Sequence, residues 1–384
     1  CGGAEPASSS KKPTNAQPVT ITVWTYYNGD QLETFNKLVE EFNTTVGQEQ
    51  NITVEADSQG SVNDLEANVL ASAEGKVGAA DLPNIFSAYA DTCYTVDQMG
   101  LLADLSGYLT DEEKSAYIEN YLTEGDFNDD GSMKIFPVAK STELLLLNDT
   151  DWQPFAAATG ASYDDLATVE GLVATAQKYY EWTDAQTDTP DDGKALFGRD
   201  AMANYLLIGA KQLGETIFDV QQGKMTVNLS EKTARKLWDN YYVPFVKGWF
   251  AATGRFRSDD IKTGNILAYV GSSSSATFFP KQVMTSDTES HDIAVKVLPC
   301  PKFADGTAVS VQQGAGMAVT NASDAEVEAS VTFLKWLSQP EQNIQFAVGS
   351  GYLPVTHAAD DMTVIENSGL ALTDTMRDIL TTAI

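Results

Sequence analysis

The stretch VTITVWTYYNGDQLETFNKLVEEFN, residues 19–43, carries the first decision about fold. Val19 to Thr25 alternates β-branched and other apolar residues with threonine, and Asn28-Gly29-Asp30 then supplies turn residues, so a strand runs into a turn. Leu32, Phe35, Leu38, Val39 and Phe42 follow at helical spacing and form one apolar stripe. The pattern repeats at once. NITVEADSQG (51–60) reads as a strand, VNDLEANVLASAEGK (62–76) as a helix and LPNIFSAY (82–89) as a third strand. Strands alternating with helices predict an α/β fold, with a parallel sheet covered by helices on both faces.

The alternation continues along the chain. MKIFPVAKSTELLLLN (133–148) reads as paired strands, and helices are expected over 169–182, 201–213, 232–246 and 258–263. NILAYVGSSSS (265–275) reads as a buried strand that breaks into a Gly-Ser loop. IAVKVLPCP (293–301) and GAGMAVTN (314–321) are later strands, and DAEVEASVTFLKWLSQPEQNIQFAV (324–348) is one amphipathic helix. A chain of 384 residues exceeds what a single hydrophobic core supports, so two domains are expected.

Residues 1–18, CGGAEPASSSKKPTNAQP, show no apolar periodicity and are expected to form a disordered tether. Removal of a signal peptide that leaves Cys1 in front is the natural explanation of such a segment; a boundary that merely falls on Cys is the alternative. The longest apolar run, in TELLLLN (142–148), is of strand length and too short to span a bilayer.

The formal net charge is −30, from 54 acidic and 24 basic residues. No basic surface is visible, which excludes nucleic acid as a partner. The chain holds three cysteines and two histidines, and none has zinc-ligand spacing. Cys93 and Cys300 read either as a disulfide or as two free thiols.

DFNDDGS (126–132) matches the start of a calcium loop, with Asp126, Asn128 and Asp130 as oxygen ligands, but Pro137 stands where the bidentate glutamate belongs. It reads as a β-turn or as a weak calcium site. GSSSSAT (271–277) lacks the lysine and spacing of a P-loop and reads as a polar loop able to offer hydroxyls and N–H groups. Trp24, Tyr26, Tyr27, Tyr89, Tyr94, Trp249, Phe250 and Tyr352 lie at strand ends or turns, where ring faces suit a sugar. Trp238 and Trp336 lie on apolar helix stripes and are expected in the core. No GxSxG, HExxH or Ser/His/Asp arrangement occurs, which weakens an enzymatic reading.

Three of these stretches together carry a resemblance. Residues 21–43, DLPNIFSAYAD (81–91), and GAGMAVTN with FLKWLSQPEQNIQFAVGSGYLPVTHAA (333–359) resemble the family 1 extracellular solute-binding proteins of ABC importers, over about residues 19–359. The resemblance implies a two-lobe, periplasmic-binding-protein-like fold of type II, each lobe a mainly parallel sheet flanked by helices, with the ligand cleft between lobes. Crossings are expected near Ser141, His291 and Asn343. That gives lobe I as 19–140 with 292–342 and lobe II as 141–291 with 343–384. It also implies diacylglyceryl modification at Cys1, anchoring at the extracellular face of the membrane, and ABC permease subunits as partners of a monomer.

What the resemblance implies for binding follows the cleft-facing strand ends. These nominate Tyr26, Tyr27, Asn28, Asp91, Ser141, Thr142, Ser272, Ser273, Gln313, Gly314 and Tyr352, to which the reading of the aromatic rings adds Tyr89 and Trp249. Asp91 falls where similar maltose-binding proteins place a carboxylate on sugar hydroxyls, and the expected ligand is a neutral sugar, with no cofactor. The rival within the family is glycerol-3-phosphate or a glycerophosphodiester, whose phosphate Asp91 would repel. An extracellular glycoside-active enzyme and a surface adhesin are readings from other classes.

Overall fold

The computed structural model describes residues 17–221, 223–309 and 314–384. In chain order its strands are β1 Val19–Thr25, β2 Ile52–Ser58, β3 Ile85–Ala88, β4 Glu143–Asn148, β5 Phe197–Arg199 and β6 Phe218–Gln221. Then come β7 Lys224–Val227, β8 Ala268–Ser272, β9 Gln282–Met284, β10 Ser290–Asp292, β11 Val295–Pro299 and β12 Gly316–Val319. Among the described residues no helix is long and apolar enough to cross a membrane.

The chain divides into two compact units, residues 1–140 with 314–370 and residues 141–313 with 371–384. The second and third changeovers therefore fall at 313/314 and 370/371, where the sequence suggested His291 and Asn343. Two packing contacts explain the difference. β11 pairs along β4 from Val295↔Asn148 to Pro299↔Leu144, which keeps 295–299 in the second unit. The Pro340–Ser350 helix packs on the Gly29–Thr44 helix, which keeps it in the first.

In the first unit the sheet order is β12-β3-β1-β2. β1 is parallel to both β2 and β3, and β12 returns antiparallel to β3. The Gly29–Thr44 helix buries Phe35, Leu38 and Phe42 completely, so the stripe read at residues 32–42 is the core face. Phe42 meets Phe333 at 5.1 Å, which locks this helix to Asp324–Leu337. The long late helix is in fact two, because Ser338 and Gln339 intervene and Pro340 opens the second at a position where its missing N–H is harmless.

The second unit departs from the mainly parallel sheet expected. Its order is β11-β4-β8-β5, with β4 antiparallel to both neighbours and only β5 parallel to β8. Four consecutive leucines, Leu144 to Leu147, are buried in β4 because both faces of this central strand are covered. Residues 133–140, expected as strand, make only isolated bridges, Phe136↔Met317 and Lys140↔Leu353. The helix expected over 232–246 breaks at Asn240 into Glu231–Asp239 and Tyr242–Val246. Its core stripe is therefore short: Leu237 is buried while Trp238 is 53% exposed and stacks on Tyr242 at 3.8 Å. Trp336, by contrast, is half-buried against the first core.

Candidate functional site

In the first unit the carboxyl ends of the parallel strands β1 and β3 gather the nominated aromatics. Such strand ends are where open α/β sheets hold ligands. Tyr26 is half-buried, stacks with Tyr89 at 6.4 Å, and shares a hydroxyl–hydroxyl hydrogen bond of 3.0 Å with Tyr352. Burial, and then Tyr352 and Tyr89, push the Tyr26 phenol well above its ordinary range, so it stays a neutral donor and acceptor. Tyr27 alternates to the other side of the chain and is 1% exposed, wedged between Phe35 at 5.2 Å and Phe346 at 5.3 Å. It is core. Tyr352 lies flat on Phe346 at 5.7 Å and is likewise buried, which leaves Tyr26 and Tyr89 as the rings with open surface.

Carboxylates surround this tyrosine pair. Asp91 is exposed in the first turn of the Ala90–Gln98 helix. Glu66, on the Val62–Ala73 helix, has its carboxyl raised by burial and by the nearby Asp91 charge, against a hydrogen bond from Thr92. Tyr89 is raised by burial and then, against a hydrogen bond from Tyr26, by the charges of Glu66, Glu124 and Asp91. Glu124 is ion-paired with the buried ammonium of Lys140, which also donates to the Gly314 carbonyl at 3.2 Å. Tyr121 beside this pair is pushed up to about 12, mainly by burial. Asn28 spends its amide on the carbonyls of Gly60 and Tyr26, which fixes the turn after β1. Gly314, at φ +115, sits so close to the chain that a Cβ would lie 2.8 Å from the Ala139 carbonyl oxygen.

Glu66, Tyr121 and Glu124 were not legible as site residues. Glu66 and Tyr121 lie on the helices Val62–Ala73 and Glu119–Leu122 and Glu124 in the turn after the latter, so none stands at the end of a strand, where the sequence directs attention.

In the second unit the serine loop meets the start of β4. Ser141 and Ser273 are buried, the Thr142 N–H donates to Ser273 Oγ at 3.2 Å, and the Ser273 N–H donates to the Thr142 carbonyl at 2.6 Å. Ser272 accepts from the Ser275 N–H at 3.2 Å and so caps the short helix Ser273–Phe278. These hydroxyls thus hold the loop itself. Trp249 lies elsewhere: its carbonyl accepts from Leu196 at the entrance of β5, the opposite end of the sheet from Ser272. It packs half-buried on the second core with Lys247 over its ring at 5.5 Å.

At the serine end the structure adds charged residues that the sequence did not single out. Asp200 takes the Arg257 N–H at 2.9 Å, and its carboxyl is raised because burial outweighs the neighbouring guanidinium. Arg257 lies 3.4 Å from Asp260, and Arg199 stands over the Tyr205 ring at 4.8 Å.

Three other expectations find their place. Asp126 accepts from the N–H groups of Asp130 at 3.1 Å and Gly131 at 3.0 Å, so its carboxylate closes the turn. Asn128 is exposed there. Cys93 and Cys300 are free thiols: Cys93 is buried in the first unit and Cys300 half-buried in the second, where burial raises its thiol to about 11. Cys1 and Gln313 lie outside the described residues.

A comparison with curated proteins found no match. Solved structures are similar in fold. The cyclic α-maltosyl-1,6-maltose binding protein of Arthrobacter globiformis aligns at TM-score 0.70 and 19% identity, over 95% of this chain and 87% of that one. The substrate-binding protein Lmo0181 of Listeria monocytogenes, in complex with cycloalternan, aligns at 0.70 and 18%, over 95% and 87%. UgpB of Mycobacterium tuberculosis, in complex with glycerophosphocholine, aligns at 0.69 and 18%, over 92% and 83%. The family description "bacterial extracellular solute-binding protein" matches residues 37–372, and the chain belongs to that family.

Proposed function

We propose that this protein captures a neutral carbohydrate, an oligosaccharide by the company it keeps, and delivers it to the permease of an ABC importer. One observation carries the reading: the open rings of Tyr26 and Tyr89 stand beside the carboxylates of Glu66 and Asp91 at the ends of β1 and β3. Ring faces take the apolar face of a sugar, and carboxylates accept from its hydroxyls. The ammonium of Lys140 is committed to Glu124 and so is not free to hold a phosphate. Relatives in fold that bind cyclic maltosides and cycloalternan support the same chemistry.

The role is binding, not catalysis, and the two compact units close on the ligand. Attachment at the extracellular face of the membrane through lipid on Cys1, implied by the family resemblance, belongs to the same proposal; intact mass of the native protein tests it.

The rival ligand is a glycerophosphodiester. It is favoured by the likeness to UgpB and by tyrosine rings that would also receive a choline cation. Calorimetric titration with maltotriose, cycloalternan and glycerophosphocholine separates the two. Tight binding of a saccharide alone supports the proposal; tight binding of glycerophosphocholine alone overturns it.

A further inference from the structure

The second unit contains a pocket of about 220 Å³ that no nominated residue other than Thr142 touches. It lies where the start of β4 and the end of β11 meet the Met202–Gln212 helix and the last turn of Asp374–Ala383. Leu144, Ile208, Pro299 and Ala383 give it an apolar wall. Glu143, Gln212 and Cys300 line both this pocket and a narrow recess beneath it, and the recess adds Arg199 and Asn204.

The floor is polar and almost wholly buried. Glu143 is 5% exposed, Arg199 7% and Gln212 8%. Asn204 donates to Glu143 Oε2 at 3.4 Å. Arg199 Nε, buried in a residue that lines the recess, has no hydrogen-bond partner among the described residues. A buried donor without an acceptor is costly, which makes this nitrogen a second, independent pointer to a bound group.

The chemistry of the floor restricts that group. An anion entering the pocket meets Glu143, and a cation meets Lys302 on the pocket wall and Arg199 in the adjoining recess. A hydroxyl both donates and accepts, so neighbouring hydroxyls can satisfy a carboxylate and a guanidinium together. The volume equals about seven water molecules, at roughly 30 Å³ each, which is the scale of a single hydroxylated ring. Apolar walls with a few convergent polar groups are the general form of a small-molecule site.

We propose that this pocket is an accessory site for one neutral polyhydroxylated ring, of monosaccharide size, with Glu143 on its polar floor and Arg199 in the recess that adjoins it. Its lining belongs wholly to the second unit, and the proposal stands whether or not the tyrosine and carboxylate cluster of the first unit binds an oligosaccharide.

Cys300 serves as the reporter, because its thiol lines the pocket, while Cys93 in the other unit serves as the internal control. Peptide-resolved alkylation by iodoacetamide is timed on the full protein with D-glucose, glycine or acetate present. Glucose should slow alkylation of Cys300 in a saturable way and leave Cys93 unchanged. Glu143→Gln should weaken that protection by about tenfold. Ala383→Trp, which fills the pocket from a helix end with little risk to folding, should abolish it. Asp91→Ala should leave it unaltered, so failure here is distinct from failure of the proposed transport role. No protection by glucose, equal protection by acetate or glycine, or undiminished protection in Ala383→Trp overturns the proposal.

Discussion

The hydroxyl oxygens of Tyr26 and Tyr352 lie 3.0 Å apart, joining the turn after β1 to the segment after the Pro340–Ser350 helix across 326 residues of sequence. Tyr352→Phe deletes one partner while keeping the ring stack on Phe346. It should destabilise the protein by about 1 kcal/mol, read as a lower urea midpoint at unchanged slope. A midpoint equal to wild type would show the bond to be idle.

Asp91 is exposed, so its removal should leave the melting of the ligand-free protein nearly unchanged. A carboxylate accepting from neutral hydroxyls contributes about 1.5–3 kcal/mol. Asp91→Ala should therefore weaken saccharide binding by roughly ten- to a hundredfold in calorimetry. For a phosphate-bearing ligand the expectation reverses, because a repulsive charge is lost and affinity stays equal or improves.

The Lys140 side chain is 3% exposed and that of its partner Glu124 29%. Removing either strands the other, and the deeper charge is the costlier one to strand. Glu124→Ala should thus destabilise more than Lys140→Met. For Lys140→Met, solvent at Glu124 trims the effect to about 1–3 kcal/mol. Paired denaturation curves give the order; the reverse order would remove Lys140 as the anchor of the Gly314 crossing.

Two buried carboxyls should shape acid stability in opposite directions. Burial raises Glu143, and Arg199 and Asn204 offset this only in part, so the native state holds its proton to higher pH than the unfolded chain does. That contribution is present below the ordinary glutamate value and is lost as pH rises through the raised one. Burial also acts to raise Asp260, but hydrogen bonds from Thr253 and Gly254, with the Arg257 charge, outweigh it and hold the carboxyl low. Its contribution is present above the ordinary aspartate value and fades as pH falls through the lowered one. Relative to wild type, Glu143→Gln should gain stability as pH rises from about 4 to 7, whereas Asp260→Asn should gain it as pH falls below about 4. Urea midpoints from about pH 2 to 7 check both signs.

Closure on a bound saccharide should appear in solution scattering as a smaller radius of gyration at saturation than without ligand. An unchanged profile at saturating saccharide counts against capture by closure.

The sequence alone determined what short-range patterns can encode. Alternation in 19–25 and the stripe from Leu32 to Phe42 set a strand and its covering helix, because a residue's place on a face follows from its spacing to near neighbours. Tyr26 and Tyr89 are legible by the same local logic as rings at strand ends, whereas Asp91 is nominated by the family resemblance. Tertiary structure alone decided which strands meet. β4 could not be read as antiparallel to both β8 and β11, since its leucine run specifies burial on two faces but not the direction of its neighbours. It also decided which tyrosine faces out: Tyr27 and Tyr26 are adjacent, and only the packing of Phe35 and Phe346 shows that Tyr27 is core. The Glu143–Arg199 floor joins residues on β4 and β5 through the intervening β8 and the Met202–Gln212 helix. Such a pairing depends on long-range register and burial, which no local pattern of residues records.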